Sequence, residues 1–219
     1  MKKFFILIFI YLLLTGQKMS ETKIKLPQPV LKGKISIEET LLKRRSIRKF
    51  RKGVISLNQV SQILWAAYGI TDNRGFKTVP SAGATFPLII YVLISNVSNL
   101  EAGIYKYQPD DHSLIKIVKG DKSDELMLAC LFQKFVKEAQ INILIAADFK
   151  RTTSYYGERG VMYVHMEAGH CGQNIYLQAE ALKLGTVAVG AFDDEKVAKI
   201  FKLEKNIKPL YIFPVGLKF

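Results

Sequence analysis

Apolar residues in this chain recur at two periods, and the change of period divides it into elements. From Ser56 to about Tyr68, the residues Leu57, Val60, Ile63, Leu64 and Ala67 fall three and four apart. That spacing predicts an amphipathic helix, ended by Gly69. A shorter helix is predicted in "SIEETLLKRR", where Ser36 followed by Glu39 reads as a capping box. The period then drops to that of strands. "PLIIYVLIS", "GIYKYQPDDHSLIKIV" and "INILIAADF" are β-branched and aromatic runs, the middle one a hairpin turning at Pro109-Asp110-Asp111. "DKSDELMLACLFQKFVKEA" between them reads as helix. A long, mostly apolar helix is predicted from about Tyr155 to Leu184, stopped by Gly185. "TVAVG" is a short strand, Asp193 to Leu203 a helix and "PLYIFPVG" a final strand. The mixture lacks regular βαβ alternation, which predicts an α+β fold. Residues 36–219 read as one domain, preceded by a polar linker over 21–35 that carries two prolines.

The first residues break this pattern. "MKKFFILIFIYLLLTG" has two lysines and then an unbroken apolar run from Phe4 to Leu14. Eleven residues are short for a bilayer span of roughly 20, but they suit the apolar region of a signal peptide. Residues 1–20 are therefore expected to be a signal peptide or an N-terminal membrane anchor, with membrane contact through 4–14. No A-x-A cleavage site follows, and Lys18, Lys23 and Lys25 make the downstream flank as basic as the start. The alternative is a cytoplasmic protein beginning at Met19.

Composition is that of an ordinary globular protein, with about half the residues apolar and 23% charged. The net charge of +13 is uneven, because seven Lys or Arg stand in the ten positions from Lys43 to Lys52. Arg44, Ser46 and Arg48 alternate, so an extended backbone would project them to one side. Two guanidiniums and a hydroxyl on one side make a compact oxyanion site. A nucleic-acid surface needs a wider field and stacking aromatics; Phe50 is the only aromatic in the run, and no nucleic-acid partner is expected.

Several kinds of chemistry are missing. There is no GxGxxG after a strand, no GxxxxGK[ST] and no GxSxG. Cys130 and Cys171 stand alone, as expected of buried thiols. "HMEAGH" approaches a zinc motif, but His165 and His170 are five apart, about 140° around a helix. No metal site is expected, and both histidines read as structural. Gly169 and Gly172 sit mid-helix, where glycine is unfavourable, so they point to close packing, either within the chain or at a dimer seam. "PSAGATFP" places small and turn-forming residues before a strand, a loop able to present backbone N–H groups.

Together, "RRSIRKF", "PSAGATFPLIIYV", "GIYKYQPDDHSL", "YGERGVMYVHMEAGHCGQNIYLQAEALKLGTVAVGAFDD" and "PLYIFPVG" resemble the nitroreductase superfamily of FMN-dependent oxidoreductases, and within it the SagB-type (thiazole/oxazole-forming) dehydrogenase branch. The resemblance runs from about Glu39 to Gly216. It implies a central, mostly antiparallel sheet flanked by helices, a homodimer with two FMN sites, and ping-pong two-electron transfer from NAD(P)H to a small electrophile. It also implies that Arg44, Ser46 and Arg48, with Arg45 beside them, bind the FMN phosphate and ribityl chain, with Lys218 as a further phosphate ligand. Pro80, Ser81, Ala82, Gly83 and Ala84 would reach the flavin from the neighbouring subunit. Val189, Gly190 and Ala191 would lie near its redox nitrogen. The sequence departs from the family at Ala84, where many members carry Asn. Azoline-oxidising members carry Lys-Tyr before "GERG"; here Tyr156 is kept as a candidate catalytic residue, but Tyr155 replaces the lysine. A phenol is a poor proton acceptor near neutral pH, which disfavours oxidation of azolines in a peptide. A third reading is a membrane-tethered basic binding module that has lost the chemistry.

Overall fold

The computed structural model describes residues 23–219. The leader expected over 1–20 lies outside the described residues. Among those described, no helix is long and apolar enough to cross a membrane.

Seven strands form one sheet in the order β1 (Lys23–Lys25), β4 (Ser113–Lys119), β3 (Gly103–Gln108), β2 (Leu88–Ile94), β5 (Ile141–Asp148), β7 (Ile207–Leu217), β6 (Leu184–Thr186). Every ladder between neighbouring strands is antiparallel. The unbroken apolar runs of β2 and β5 follow from their central place, since both faces of each strand are covered. One face packs against α2 (Leu57–Tyr68) and α6 (Arg159–Ala181), burying Ile63, Leu64, Val164, Cys171 and Ile175 with Ile90 and Ile143. The other packs against α3 (Ser123–Ala129), α4 (Lys134–Glu138) and α7 (Asp194–Ile200), burying Leu126, Val136 and Phe201 with Leu93 and Leu144. The expected α+β sheet flanked by helices is therefore present, as three layers.

Several element bounds differ from those the sequence predicts. In α1 (Ile37–Lys43), Ser36 Oγ accepts from Glu39 N at 3.1 Å, but the Glu39 carboxylate turns to Lys43 at 2.6 Å, so only half of the box forms. The full box occurs at α2, where Ser56 and Gln59 bond reciprocally. The helix predicted across 121–139 is two helices, broken at Leu131 and Phe132, whose φ values are 55° and 61°. In a continuous helix Cys130 and Val136 would stand about 120° apart; the break lets both enter the same core. The long helix also divides. Gly157, at φ 55° and ψ −144°, separates α5 (Phe149–Tyr156) from α6. Its C-terminal end falls at Ala181, not at Gly185, which belongs to β6, and Lys183 at φ 59° makes the turn. The "TVAVG" strand is correspondingly displaced to Leu184–Thr186. Within the segment read as linker, β1 pairs with β4 and Leu26 is buried.

A buried polar chain secures the residues after β1. Ser61 Oγ lies 2.6 Å from His112 Nε2 and donates to the Pro27 carbonyl at 2.5 Å, and Tyr107 Oη lies 2.8 Å from His112 Nδ1.

The two glycines of α6 have different reasons. A Cβ on Gly172 would stand 2.6 Å from Phe213 Cζ in the core, whereas one on Gly169 would meet nothing within 4 Å. Gly172→Ala should destabilise the fold by about 1–3 kcal/mol through overpacking, read as a lowered urea midpoint. Gly169→Ala should leave the midpoint unchanged or raise it, with a gain of up to about 1 kcal/mol. Equal effects from the two would contradict this packing.

Candidate functional site

The basic run follows α1 as an extended segment. Ser46 forms a parallel bridge to Thr186, and Ile47 N donates to the Thr186 carbonyl at 2.9 Å. Ile47 covers Gly185, where a Cβ would come within 2.8 Å of Ile47 Cγ2. Ser46 and Arg48 are exposed, as expected of side chains alternating with it. The Arg44 guanidinium lies 5.1 Å from the Tyr176 ring centroid, and Ser46 Oγ shares a hydrogen bond of 2.9 Å with Tyr176 Oη. Tyr176 Oη also accepts from Ala188 N at 2.8 Å. One phenol on α6 thus joins the basic segment to the strand-like stretch 187–191. That stretch is held by reciprocal hydrogen bonds between Val189 and Ile212 and ends in exposed Gly190 and Ala191.

The remaining cations here are differently engaged. Arg45 Nη1 donates back to the carbonyls of Leu42 and Arg44. Lys218 lies beside Gly185, but its Nζ meets both carboxylate oxygens of Glu180 at 2.9 Å. Arg51 Nε donates to the Lys218 carbonyl at 3.0 Å. Among the described residues no ion pair in this run involves an arginine, and the Arg44 and Arg48 guanidiniums also make no hydrogen bond within the chain.

The "PSAG" loop forms a second cluster. Ala82–Ala84 is a single 3-10 turn with Gly83 at φ 58°, and a Cβ on Gly83 would stand 2.6 Å from Tyr156 Oη. Glycine is needed at this position both for the left-handed backbone and for the approach of the Tyr156 phenol. Behind the turn, Ser81 Oγ accepts from Phe86 N at 2.9 Å. Glu167 is buried and accepts from Tyr68 Oη at 2.6 Å. Burial pushes its carboxyl above the ordinary value of 4.5, against the opposing pull of its hydrogen bonds. In "HMEAGH" the buried polar residue is therefore the glutamate. His165 and His170 are exposed, and His165 Nδ1 lies 2.9 Å from the Val161 carbonyl of its own helix. No group of three or more His, Cys, Asp or Glu among the described residues is arranged to hold a metal ion.

Within one chain the two clusters stay apart. Glu167 and Tyr176 are nine residues apart on α6, about 13 Å along its axis. Between and beyond them α6 exposes Val161, Met162 and Met166, together with the open surface at Gly169. Tyr176, Glu167 and Tyr68 were not singled out by sequence reasoning. Their signal was weak, since a tyrosine or glutamate on a long helix normally faces solvent.

The family model described as "Nitroreductase family" matches residues 41–217. A candidate nitroreductase of Methanocaldococcus jannaschii, MJ1384, is 51% identical over 184 residues, covering 84% of this chain and 92% of that protein. A candidate nitroreductase structure from Anabaena variabilis superposes with a TM-score of 0.81 at 27% identity, covering 91% of this chain and 42% of that one. The chain thus spans less than half of that protein's length. A chain of the E. coli microcin synthetase McbBCD complex, with truncated pro-MccB17 bound, shares the fold at a TM-score of 0.70 and 21% identity, covering 99% of this chain and 85% of that one.

The buried Glu167 makes stability depend on pH. Its pKa is higher folded than unfolded, so its contribution is fully present below the unfolded value, near 4.5, and is lost as pH rises through the raised folded value. Glu167→Gln should remove that decline. Urea unfolding across pH 4 to 8 reads it, and parallel wild-type and variant profiles would refute the assignment.

Proposed function

We propose, on the premise that the chain belongs to the nitroreductase family, that it is an FMN-dependent oxidoreductase taking two electrons from NAD(P)H and passing them to a small electrophilic acceptor. The observation that carries this reading is the cradle of Arg44, Ser46 and Arg48, joined through Tyr176 to the stretch that ends at Gly190 and Ala191. The residues present fit the cofactor. Two unpaired guanidiniums and a hydroxyl suit a phosphate, and exposed small residues nearby let a flat ring approach the backbone. FMN, when bound, supplies the two-electron redox chemistry. In this reading Arg44, Ser46 and Arg48 bind its phosphate, and Tyr176 holds Ser46 and the 187–191 stretch in register. Lys218 serves through its ion pair with Glu180, which neutralises both groups and fixes the C-terminal strand beside the cradle.

The chain is further proposed to act as a homodimer. The turn at Ala82–Ala84 and the arginine cradle lie toward opposite ends of α6, whose N-terminal half carries Val161, Met162 and Met166 uncovered. Pairing of two such faces about a twofold axis would bring the turn of one subunit toward the cradle of the other. A second reading, dehydrogenation of azolines in a peptide, is favoured by the fold shared with the McbBCD chain and by the Tyr156 phenol seated at Gly83. It is opposed by Tyr155 standing where that branch carries lysine.

Protein expressed from Met19 should purify yellow, with a flavin spectrum bleached by NADH or NADPH; a colourless protein that FMN cannot reconstitute would exclude this function. Arg44→Ala combined with Arg48→Ala should weaken FMN binding at least about 100-fold, given about 1.5–3 kcal/mol for each charged hydrogen bond. Unchanged flavin retention would reject the cradle. Met166→Arg should convert a dimer to monomer in sedimentation velocity and release flavin with it. A wild-type monomer that retains FMN would overturn the shared site.

A further inference from the structure

A second cationic site lies at the opposite end of the sheet from the arginine cradle, where β2 and β3 part. Their ladder runs from Ile94↔Gly103 to Tyr91↔Lys106 and stops there. Both strands continue, β2 back to Leu88 along β5 and β3 on to Gln108 along β4. The result is a cleft between Leu88–Ile90 and Tyr107–Gln108, with a cavity of about 210 Å³. Main-chain groups that would otherwise complete the ladder border this cleft.

Its charged lining is one-sided. Lys77, Lys106 and Arg151 line it, against the single carboxylate of Asp110. Among the described residues, Lys77, Lys106 and Asp110 make no ion pair, and Arg151 approaches a carboxylate only at 3.8 Å, that of Asp148. Lys77 is partly buried, with Nζ 4.6 Å from the Tyr68 ring centroid and 5.3 Å from that of Phe86. Burial pulls its ammonium below the ordinary lysine range, against the weaker opposing pull of the Asp110 and Glu167 carboxylates. Arg151 Nη1 donates to the Phe86 carbonyl at 3.1 Å, which leaves the rest of its guanidinium available. Phe86 itself holds φ 45°, a strained conformation for a bulky residue. Two aromatic rings and a strained main chain thus hold a desolvated, unpaired cation in a polar cleft. An anion in the cleft would compensate that arrangement.

We propose that this cleft binds a compact phosphate dianion, either free or as the terminal group of a larger molecule, through Lys77, Lys106 and Arg151. A cavity of about 210 Å³ has room for a phosphate group, and its open mouth leaves the rest of a larger molecule outside. The site is separate from the arginine cradle and does not depend on the flavin assignment. Through Phe86, whose N–H reaches Ser81 and whose carbonyl reaches Arg151, its occupant would also steady the "PSAG" turn.

Calorimetric titration of the full chain with inorganic phosphate, at constant ionic strength in chloride, tests the proposal. Saturable binding should persist in Arg44→Ala/Arg48→Ala and weaken at least about tenfold in Lys77→Met/Lys106→Met, the loss of one or two charge-assisted hydrogen bonds. Asp110→Asn, on an exposed turn, should tighten binding several-fold, an effect that misfolding would not produce. NADPH and NADH titrated in parallel distinguish the source. A preference for NADPH that disappears in Lys77→Met/Lys106→Met assigns the phosphate to the donor; phosphate binding with no such preference assigns it to a free phosphate. No phosphate binding, or binding abolished by the Arg44/Arg48 substitutions and insensitive to those at Lys77, Lys106 and Asp110, would overturn the site.

Discussion

The close seating of α6 on the central sheet is the constraint on which the other features depend. At Gly172 the helix backbone approaches the Phe213 ring so nearly that no side chain fits between them. Phe213 is in turn held edge-on by Tyr176 and Tyr211. With that spacing set, residues on either side of Gly172 reach different parts of the sheet surface. Tyr176 meets Ser46 and Ala188, while Glu167 meets Tyr68. One helix therefore positions two polar clusters about 13 Å apart along its axis. Neither cluster would keep its geometry if α6 moved outward by the width of a methyl group.

Electrostatics then separates structural from available charge. Lys43, Lys122, Lys196 and Lys218 are paired with carboxylates close in sequence or space. The exposed pairs among them contribute little to stability, and all of them, including the half-buried Lys218–Glu180 pair, neutralise charge that would otherwise be offered to ligands. Among the cations without an ion pair, two groups stand out for their packing, Arg44 in the cradle and Lys77 in the cleft. In both, the cation packs on an aromatic ring, Tyr176 in one and Tyr68 with Phe86 in the other. Ring packing orients a long side chain without a counter-charge, which is the arrangement both proposed anion sites rely on.

Much of the fold was legible from pattern. The α2 helix, the hairpin at Pro109–Asp111 and the apolar strands β2 and β5 follow from periodicity and turn chemistry, and the alternation of Ser46 and Arg48 about Ile47 follows from strand geometry. The misses share a cause. The break at Leu131 and Phe132 places ordinary apolar residues in a left-handed conformation that no local preference would select; it exists because Cys130 and Val136 must both enter one core. The Ser36 box formed only in part because Lys43 competed for the Glu39 carboxylate. The three cations and the carboxylate of the β2–β3 cleft lie on separate elements, and no linear motif joins them.

The sequence by itself determined the element types, the family and the candidate cradle, because period, caps and a contiguous basic segment are local properties of the chain. Only the tertiary structure decided that Gly172 packs inward while Gly169 stays open, that Glu167 rather than its flanking histidines is buried, and that Lys218 is neutralised by Glu180. Each of these depends on which surfaces meet across long separations in the chain. Burial and charge pairing arise from that meeting, so residues of the same type three positions apart on one helix can have opposite environments.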